Sequence, residues 1–495
     1  MKRARGRSSA KQGVEPVGYA RRLQKGHDKG RCGAAEIESS LDEIEAQAKR
    51  LAQLLRDAPI VVAHTGAGLS TAAGIPDFRG QRGVWTMEEQ GEPLPKYERC
   101  WDNAVPTLAH MALVGLVNAG LLHGIISQNV DGLHLRSGIP REKLCELHGN
   151  LFMELCPGCE REVRRTADVG GVGFRQTGRR CNFCGEALVD VLLDWEDELR
   201  DYDQAVDLSK RCGVDGGIAL CLGTSLQISP SKDLPAQASK MVIVNLQTTA
   251  KDKRAELSIR GKTDTVMRCV LQELKIPIPI YRRTETLVIS HTCARGKGSR
   301  WKWNITVGDT ADGARCGYIE SMTVSFPGTR LTGARIISAP FRVSRTTKSF
   351  SNPVESFSAG TVGEESVAKS VTAESVAEDA RETVLQNLVA AGVSDASSEQ
   401  IHSQSGGRNA AEGSEASGGN TESDGHTESG GRRNGFVTES ILAVLELEFV
   451  AAPGHTAREG QTVEYVLDLS RSEGSLAVMI FLGEFDYNND GLGRT

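Results

Sequence analysis

Four cysteines stand in two pairs, Cys156-x-x-Cys159 and Cys181-x-x-Cys184, with 21 residues between the pairs. A C-x-x-C turn aims two thiolates at one point. Two such turns close a tetrahedral sulfur site, and zinc is its usual occupant. Four protein ligands leave no open position, so the expected metal is structural rather than catalytic. The other eight cysteines show no paired spacing and read as buried or incidental thiols.

A second group of residues suits nucleotide chemistry. Gln128-Asn129-Val130-Asp131 follows the apolar run Gly124–Gln128, and Glu146-Leu147-His148-Gly149-Asn150 comes soon after. Amides and a carboxylate at the end of a strand can grip ribose hydroxyls, and a nearby histidine can act as a base near neutral pH. On spacing alone His134 and His148 are equal candidates for that base, and either could be structural. Thr65-Gly66-Ala67-Gly68-Leu69-Ser70-Thr71 offers small residues where a backbone could approach a diphosphate. It is not a full G-x-G-x-x-G, and an ordinary tight turn explains it equally well. Gly223-Thr224-Ser225 and Asn245-Leu246-Gln247 again follow apolar runs, and each is compatible with a plain polar turn.

These residues need elements to position them. Ile60–Ala63, Gly124–Gln128, Ile218–Leu222 and Met241–Asn245 are short apolar runs of the kind that form buried strands. Helical stretches alternate with them, at Thr107–Ala119 and Leu199–Arg211. Ser40 begins a capping-box pattern, after which Leu41, Ile44, Ala48, Leu51 and Leu55 share one helical face. Alternation of this kind implies an α/β fold with a parallel sheet covered on both faces. Residues 156–184, which carry the cysteine pairs, interrupt it and suit a small inserted module. Beyond Pro279 the pattern turns to β, with strands expected at Thr286–His291, Trp301–Val307, Ile319–Phe326, Ile336–Val343, Ile441–Val450, Gln461–Leu469 and Ala477–Leu482. The expected organisation is a disordered basic arm over 1–16, an α/β domain over 17–280, and a β-rich, sandwich-like domain over 284–346 plus 435–488. Residues 347–434, rich in Ser, Gly, Glu and Ala, read as a disordered insertion, with a helix possible around Ser366–Val389.

The net charge of −6 favours no particular partner. The first 33 residues differ, holding ten Lys or Arg against Glu15 and Asp28. A solvated tail, a nuclear import signal and a nucleosome or nucleic-acid contact all fit such a head. No apolar run approaches the ~18 residues of a membrane span, and no signal-peptide core follows the N-terminal charges. A reducing compartment is expected, and with it metal-bound or free thiols rather than disulfides.

In order along the chain, the segments GAGLSTAAGIPDFRG (66–80), GVWT (83–86), SQNVDGLH (127–134), ELHGN (146–150), the two cysteine pairs, LDWED (193–197), LGTSLQI (222–228) and VIVNLQ (242–247) resemble the sirtuin (Sir2) family over roughly residues 17–280. GVWTMEE (83–89), LDWED and HDKGRCG (27–33) are similar to its nuclear class IV branch, which includes human sirtuins six and seven. The resemblance implies a Rossmann-type NAD-binding catalytic domain over 17–280 with a zinc-ribbon module at about 150–190 and an acyl-lysine channel between them, in an NAD-dependent protein-lysine deacylase acting on histones or other nuclear proteins. It implies His148 as catalytic base, and Asn129 and Asp131 at the nicotinamide and ribose end. It implies an NAD site lined by Ala67, Thr71, Phe78, Arg79, Trp85, Gln128, Gly223, Ser225, Asn245, Gln247 and Thr263. The implied products are nicotinamide, free lysine and O-acyl-ADP-ribose. LDWED stands where most of the family has a Phe-Gly-Glu strand for the peptide, so long-chain deacylation or mono-ADP-ribosylation on the same scaffold remains open. A chromatin-bound scaffold is a third reading. The C-terminal patterns WKWNITV (301–307), GYIESMTVSF (317–326) and APFRV (339–343) are similar to YEATS-type acyl-lysine-reading sandwiches, although that family's Gly-Trp-Gly turn is missing. A sandwich used for contacts or stability accounts for them as well.

Overall fold

The computed structural model describes residues 18–24, 27–93, 101–295, 300–309, 316, 318–326, 333–336, 341–348, 440–449, 461–468 and 473–488. The expected basic arm (1–16), the insertion and its helix (349–434 of the expected 347–434) and Cys100 lie outside these residues.

In chain order the α/β part begins with α1 (Gly18–Arg22), α2 (Leu41–Asp57), β1 (Val61–Thr65), α3 (Val84–Gln90), α4 (Leu108–Asn118), β2 (Gly124–Ser127), α5 (Leu133–Ser137) and β3 (Leu144–Glu146). The cysteine module follows as β4 (Met153–Leu155), β5 (Glu162–Arg164), β6 (Gln176–Arg180) and β7 (Ala187–Asp190). Then come α6 (Tyr202–Arg211), β8 (Ile218–Leu222), β9 (Lys240–Val244), β10 (Leu257–Ile259) and α7 (Thr263–Leu274).

The local signals act as expected at α2. The Ser40 side chain accepts from the Glu43 N–H, and Glu43 reaches back to the Ser40 N–H. Ile44, Ala48, Leu51 and Leu55 are buried, whereas Leu41, in the first turn, stays 42% exposed. The first turn of this helix therefore stands clear of the sheet that covers the later ones.

Six strands form one parallel sheet in the order β10-β9-β8-β1-β2-β3. Each of β1, β2 and β8 is buried along its whole length, which is why these segments read as unbroken apolar runs. The order reverses between β1 and β8. At such a reversal the crossover helices leave on opposite faces, and a crevice opens beyond the strands' carboxyl ends. The cysteine module is a separate antiparallel sheet, β5-β4-β7-β6, inserted between β3 and β8.

The C-terminal part comprises β11 (Tyr281–Arg295), β12 (Arg300–Gly308), β13 (Ile319–Ser325), β14 (Ala334–Ile336), β15 (Phe341–Lys348), β16 (Ser440–Phe449), β17 (Gln461–Asp468) and β18 (Glu473–Phe485). They pair as two antiparallel sheets, β15-β12-β11-β18 and β14-β13-β16-β17. One core joins the sheets: Ile289, Trp303, Ile305 and Phe341 from the first meet Met322, Val324, Leu445 and Leu447 from the second. This is a β-sandwich. The strand expected over Ile336–Val343 is instead two strands in different sheets, β14 pairing with β13 and β15 with β12. An apolar-rich run cannot reveal by itself that the chain changes layers within it.

Candidate active site

The crevice predicted by the strand order is built from glycine contacts. An ideal Cβ on Gly66 would lie 2.8 Å from the Gly223 carbonyl oxygen, and one on Gly68 would lie 2.9 Å from the Gly223 Cα. Gly223 has φ +58, and its own Cβ would lie 2.4 Å from the Leu69 nitrogen. The turn after β1 and the turn after β8 therefore pack backbone to backbone, leaving a cradle that any side chain would fill.

The short loop from Asp77 to Trp85 forms the facing wall. The Asp77 carboxylate accepts from the Gly80 N–H at 2.9 Å, and the Val84 and Trp85 N–H groups donate back to the Asp77 and Phe78 carbonyls. Burial raises the Asp77 pKa above the usual carboxylate range. This tight loop presents Phe78, Arg79 and Trp85 to the cleft. Phe78 and Trp85 have ring centroids 4.6 Å apart, and the Arg79 guanidinium lies 4.5 Å from the Trp85 centroid. Arg79 Nε donates to the Lys29 carbonyl at 2.7 Å. Its Nη2 is buried with no hydrogen-bond partner. Burial lowers the Arg79 pKa to about 10, still cationic at neutral pH. A buried guanidinium with an unused donor beside a glycine cradle fits an anionic diphosphate.

Asn129 and Asp131 are tied to the same turn. Asn129 Nδ2 donates to the Gly66 carbonyl at 3.0 Å. Ser70 Oγ donates to Asp131 Oδ2 at 2.6 Å, and the Leu133 N–H donates to Asp131 Oδ1 at 2.9 Å. Burial raises the Asp131 pKa, and these two bonds work against that rise.

The two histidines part company here. His134 is buried in the α/β core, with Nε2 2.8 Å from Thr65 Oγ1 and its ring centroid 4.8 Å from that of His110. It does not line the cleft. His148 does. Its Nδ1–H donates to the Gln128 carbonyl at 2.9 Å. A carbonyl oxygen can only accept, so the proton sits on Nδ1 and the lone pair on Nε2. Burial lowers the His148 pKa to about 4, and the Arg79 charge adds to that effect. The ring is neutral at pH 7 and able to take a proton. Gly149, at φ +83, makes the turn possible, since a Cβ there would lie 1.9 Å from the Val191 carbonyl oxygen.

Every residue expected at the site lies along two adjoining cavities. Ala67, Phe78, Arg79, Trp85, Gln128, Asn129, Asp131, His148 and Ser225 line the first. Thr71 and Thr263 line the second, and Gly223, Asn245 and Gln247 border both. Gln247 carries a refinement: its side-chain N–H groups are spent on the Ala34 and Arg79 carbonyls, at 2.7 and 3.2 Å. It ties the N-terminal segment to the wall. Sequence reasoning missed Ser70, Asp77, Tyr19 and Trp195. Ser70, Asp77 and Trp195 stood inside quoted motifs without a role assigned to them, whereas Tyr19 gave no signal before the fold brought it to the cleft.

The cysteine module is separate from this cleft. The sulfurs of Cys156, Cys159, Cys181 and Cys184 all lie within 4.8 Å of one another. Cys156–Cys184 is 3.2 Å and Cys159–Cys181 is 3.7 Å. Tetrahedral zinc with bonds of about 2.3 Å requires sulfurs about 3.8 Å apart, so the donor set fits it. The two turns are alike: the Glu160 N–H donates to the Cys156 carbonyl and the Gly185 N–H to the Cys181 carbonyl.

A model of the Sir2 family matches residues 95–230. The NAD-dependent protein deacetylase SRT1 of Arabidopsis thaliana is 42% identical over 318 residues, covering 63% of this chain and 67% of that protein. The NAD-dependent protein deacetylase Sirt6 of Drosophila melanogaster is 42% identical over 276 residues, covering 53% of this chain and 86% of that protein. Human NAD-dependent protein deacetylase sirtuin-7 is 35% identical over 322 residues, covering 62% and 76%. With the parallel sheet, the glycine cradle and the four-cysteine module already in place, this degree of likeness means that the chain belongs to the Sir2 family.

Proposed function

We propose that the protein is an NAD-dependent protein-lysine deacylase. The observation that carries this is His148, neutral, with Nε2 free in a cleft that also holds a cradle and an unpaired cation suited to a diphosphate. The relatives named NAD-dependent protein deacetylases support the same reaction. When bound, NAD would supply an electrophilic ribose carbon that the acyl oxygen of a modified lysine can attack as nicotinamide leaves. His148 would take a proton from a ribose hydroxyl through Nε2. Asn129, Asp131 and Gln128 would hold the nicotinamide-ribose end. Arg79 would meet the diphosphate beside Ala67 and Gly223, with Phe78 and Trp85 excluding water. Thr71, Ser225, Asn245, Gln247 and Thr263 would border the remainder of the dinucleotide.

Histone substrates and a nuclear location belong to the proposal. They are supported by the ten basic residues among the first 33 and by the class IV motifs. The same head offers charge for contact with nucleosomal DNA. Mass spectrometry of acetylated and myristoylated histone peptides with NAD tests the core of the reading. The wild type should release free lysine and O-acyl-ADP-ribose, and His148→Ala should not. ADP-ribose found on protein, with the acyl group intact, would favour the transferase reading. A fluorescent fusion with the basic head neutralised should lose nuclear enrichment.

A further inference from the structure

The C-terminal sandwich has no part in the chemistry above, yet among its contacts with the α/β region are two that lead to the cleft. The first is Arg283, at the start of β11. Its Nη2 donates to the Asp102 carbonyl at 3.1 Å, and its Nε donates to Glu285 at 3.1 Å, with both side chains buried. Asp102 belongs to the turn Trp101–Asn103, and Trp101 lines the cleft. Arg136 also holds this turn, through the Trp101 and Ala104 carbonyls.

The second point is Asp309, just beyond β12. Its Oδ2 accepts from both the Thr166 N–H and Oγ1–H, each at 3.4 Å. Thr166 lies on the module's loop from Arg165 to Val169. That loop is tied to the segment directly after the catalytic histidine, since the Arg165 and Val169 N–H groups donate to the Phe152 and Leu151 carbonyls at 2.8 and 2.9 Å. It is also tied to the first grip, because the Asp168 N–H donates to Asp102 Oδ1 at 3.2 Å. Asp168 pairs with Arg22 of α1, whose neighbours Tyr19 and Leu23 line the cleft.

The two grips thus converge on one rim of the cleft. Trp101, Tyr19 and Leu23 border the first cavity and not the second, where Thr71, Lys262 and Thr263 lie. This is the rim away from Thr263. We propose that Arg283 and Asp309 are positioning residues for the acyl-peptide end of the cleft, through which the sandwich sets the Trp101 wall against the cysteine module. The proposal rests on the deacylase reading for its substrate. It gives the sandwich a role in substrate recognition without any ligand site of its own. A misplaced wall acts on orientation of the acyl-lysine and leaves the dinucleotide end alone.

The test uses the full chain with Arg283→Met/Glu285→Gln, which removes the grip without stranding a buried carboxylate, beside Arg283→Lys, Asp309→Asn and the control Asn304→Ala. Among the described residues, the Asn304 side chain bonds to Thr292, within the sandwich. In folded protein, the double variant should raise KM for an acylated peptide by about fivefold or more and lower kcat, with KM for NAD changed less than about twofold. Arg283→Lys should restore part of the effect, Asp309→Asn should act in the same direction, and Asn304→Ala should change neither constant. Hydrogen exchange in residues 101–106 should quicken in the double variant while β1 stays protected. Unchanged peptide kinetics in the double variant, equal shifts in both KM values, or the same shifts in the control would overturn the proposal. A wild-type protein that turns over no acyl peptide would sink the deacylase reading instead. Exchange then decides the structural tie, and unchanged exchange at 101–106 would end it.

Discussion

The α/β region and the sandwich place their polar residues differently. In the parallel sheet all strands end at the same edge, so the turns after β1, β2, β3, β8 and β9 deliver Ala67, Gln128, His148, Ser225 and Asn245 to one cleft. In the antiparallel sheets neighbouring strands end at opposite edges, and no such convergence follows from the topology. There the core is apolar, and buried polar groups turn to backbone or to the other domain: Tyr318 Oη–H donates to the Thr286 carbonyl, and Arg283 to the Asp102 carbonyl. Both cavities border α/β residues alone. The contrast teaches that strand direction, more than residue content, decides where a reactive site can assemble in this chain.

The comparison breaks most visibly at the cysteine module, which has no large apolar core of its own. Cys156→Ser or Cys181→Ser should reduce bound zinc from about one per chain toward none and abolish activity, as read by metal analysis and circular dichroism. A metal-free protein that keeps its fold would remove the zinc assignment.

Next come the two histidines. His148→Ala should lower kcat by about 10²–10⁴ with little change in melting temperature. His134→Ala should instead cost about 1–3 kcal/mol of stability, because Thr65 loses a buried partner, and should spare most of the turnover. Denaturant unfolding beside steady-state kinetics separates them. Interchanged outcomes would mean that the wrong histidine has been placed at the cleft.

The pH dependence sharpens the same point. His148 is held near pKa 4 and His134 near 3 by burial, both below the ordinary value of 6.5. Each folded-state pKa lies below its unfolded value, so the unfolded chain binds more protons between about pH 6.5 and 4, and stability falls as pH falls through that window. Burial also holds Glu146 near 7, above the usual carboxylate value, and its contribution runs the other way, fading as pH rises from about 4.5 to 7. For activity, kcat/KM should show no acid limb near pH 6.5 and should hold level down toward pH 5. A limb at 6.5 would mean that His148 is solvated in solution.

The smallest effect belongs to the sandwich. Ile305→Val trims one methylene from its core and should cost about 1 kcal/mol in thermal unfolding. KM for NAD should not move. A shift in that constant would show the two regions to be more closely coupled than the contrast allows.

Much of this architecture was legible beforehand. The strands of the parallel sheet announced themselves as apolar runs because burial on both faces demands it, and α2 because its cap is a local interaction between Ser40 and Glu43. The four cysteines were legible because C-x-x-C spacing is itself the geometry of a metal turn. Other features were out of reach. β6, Gln-Thr-Gly-Arg-Arg, is a polar strand at the edge of its sheet, held by pairing with β7 rather than by any apolar pattern. Tyr19 reaches the cleft from a segment far in the chain from the motifs that line it, so no local pattern marks it.

By itself the sequence determined the residue types available for chemistry, the periodicities of the elements and the ordered motifs that mark the family. Those are local properties, set by side-chain chemistry and backbone preference over a few residues. The ordered motifs point to His148 as the base, and the tertiary structure alone decided which histidine lines the cleft. His134 and His148 carry the same side chain in similar polar runs, but α5 turns one inward against Thr65, while the Gly149 turn holds the other in the cleft with Nδ1 committed to Gln128. That choice depends on contacts across the sheet, and burial, tautomer and basicity follow from them.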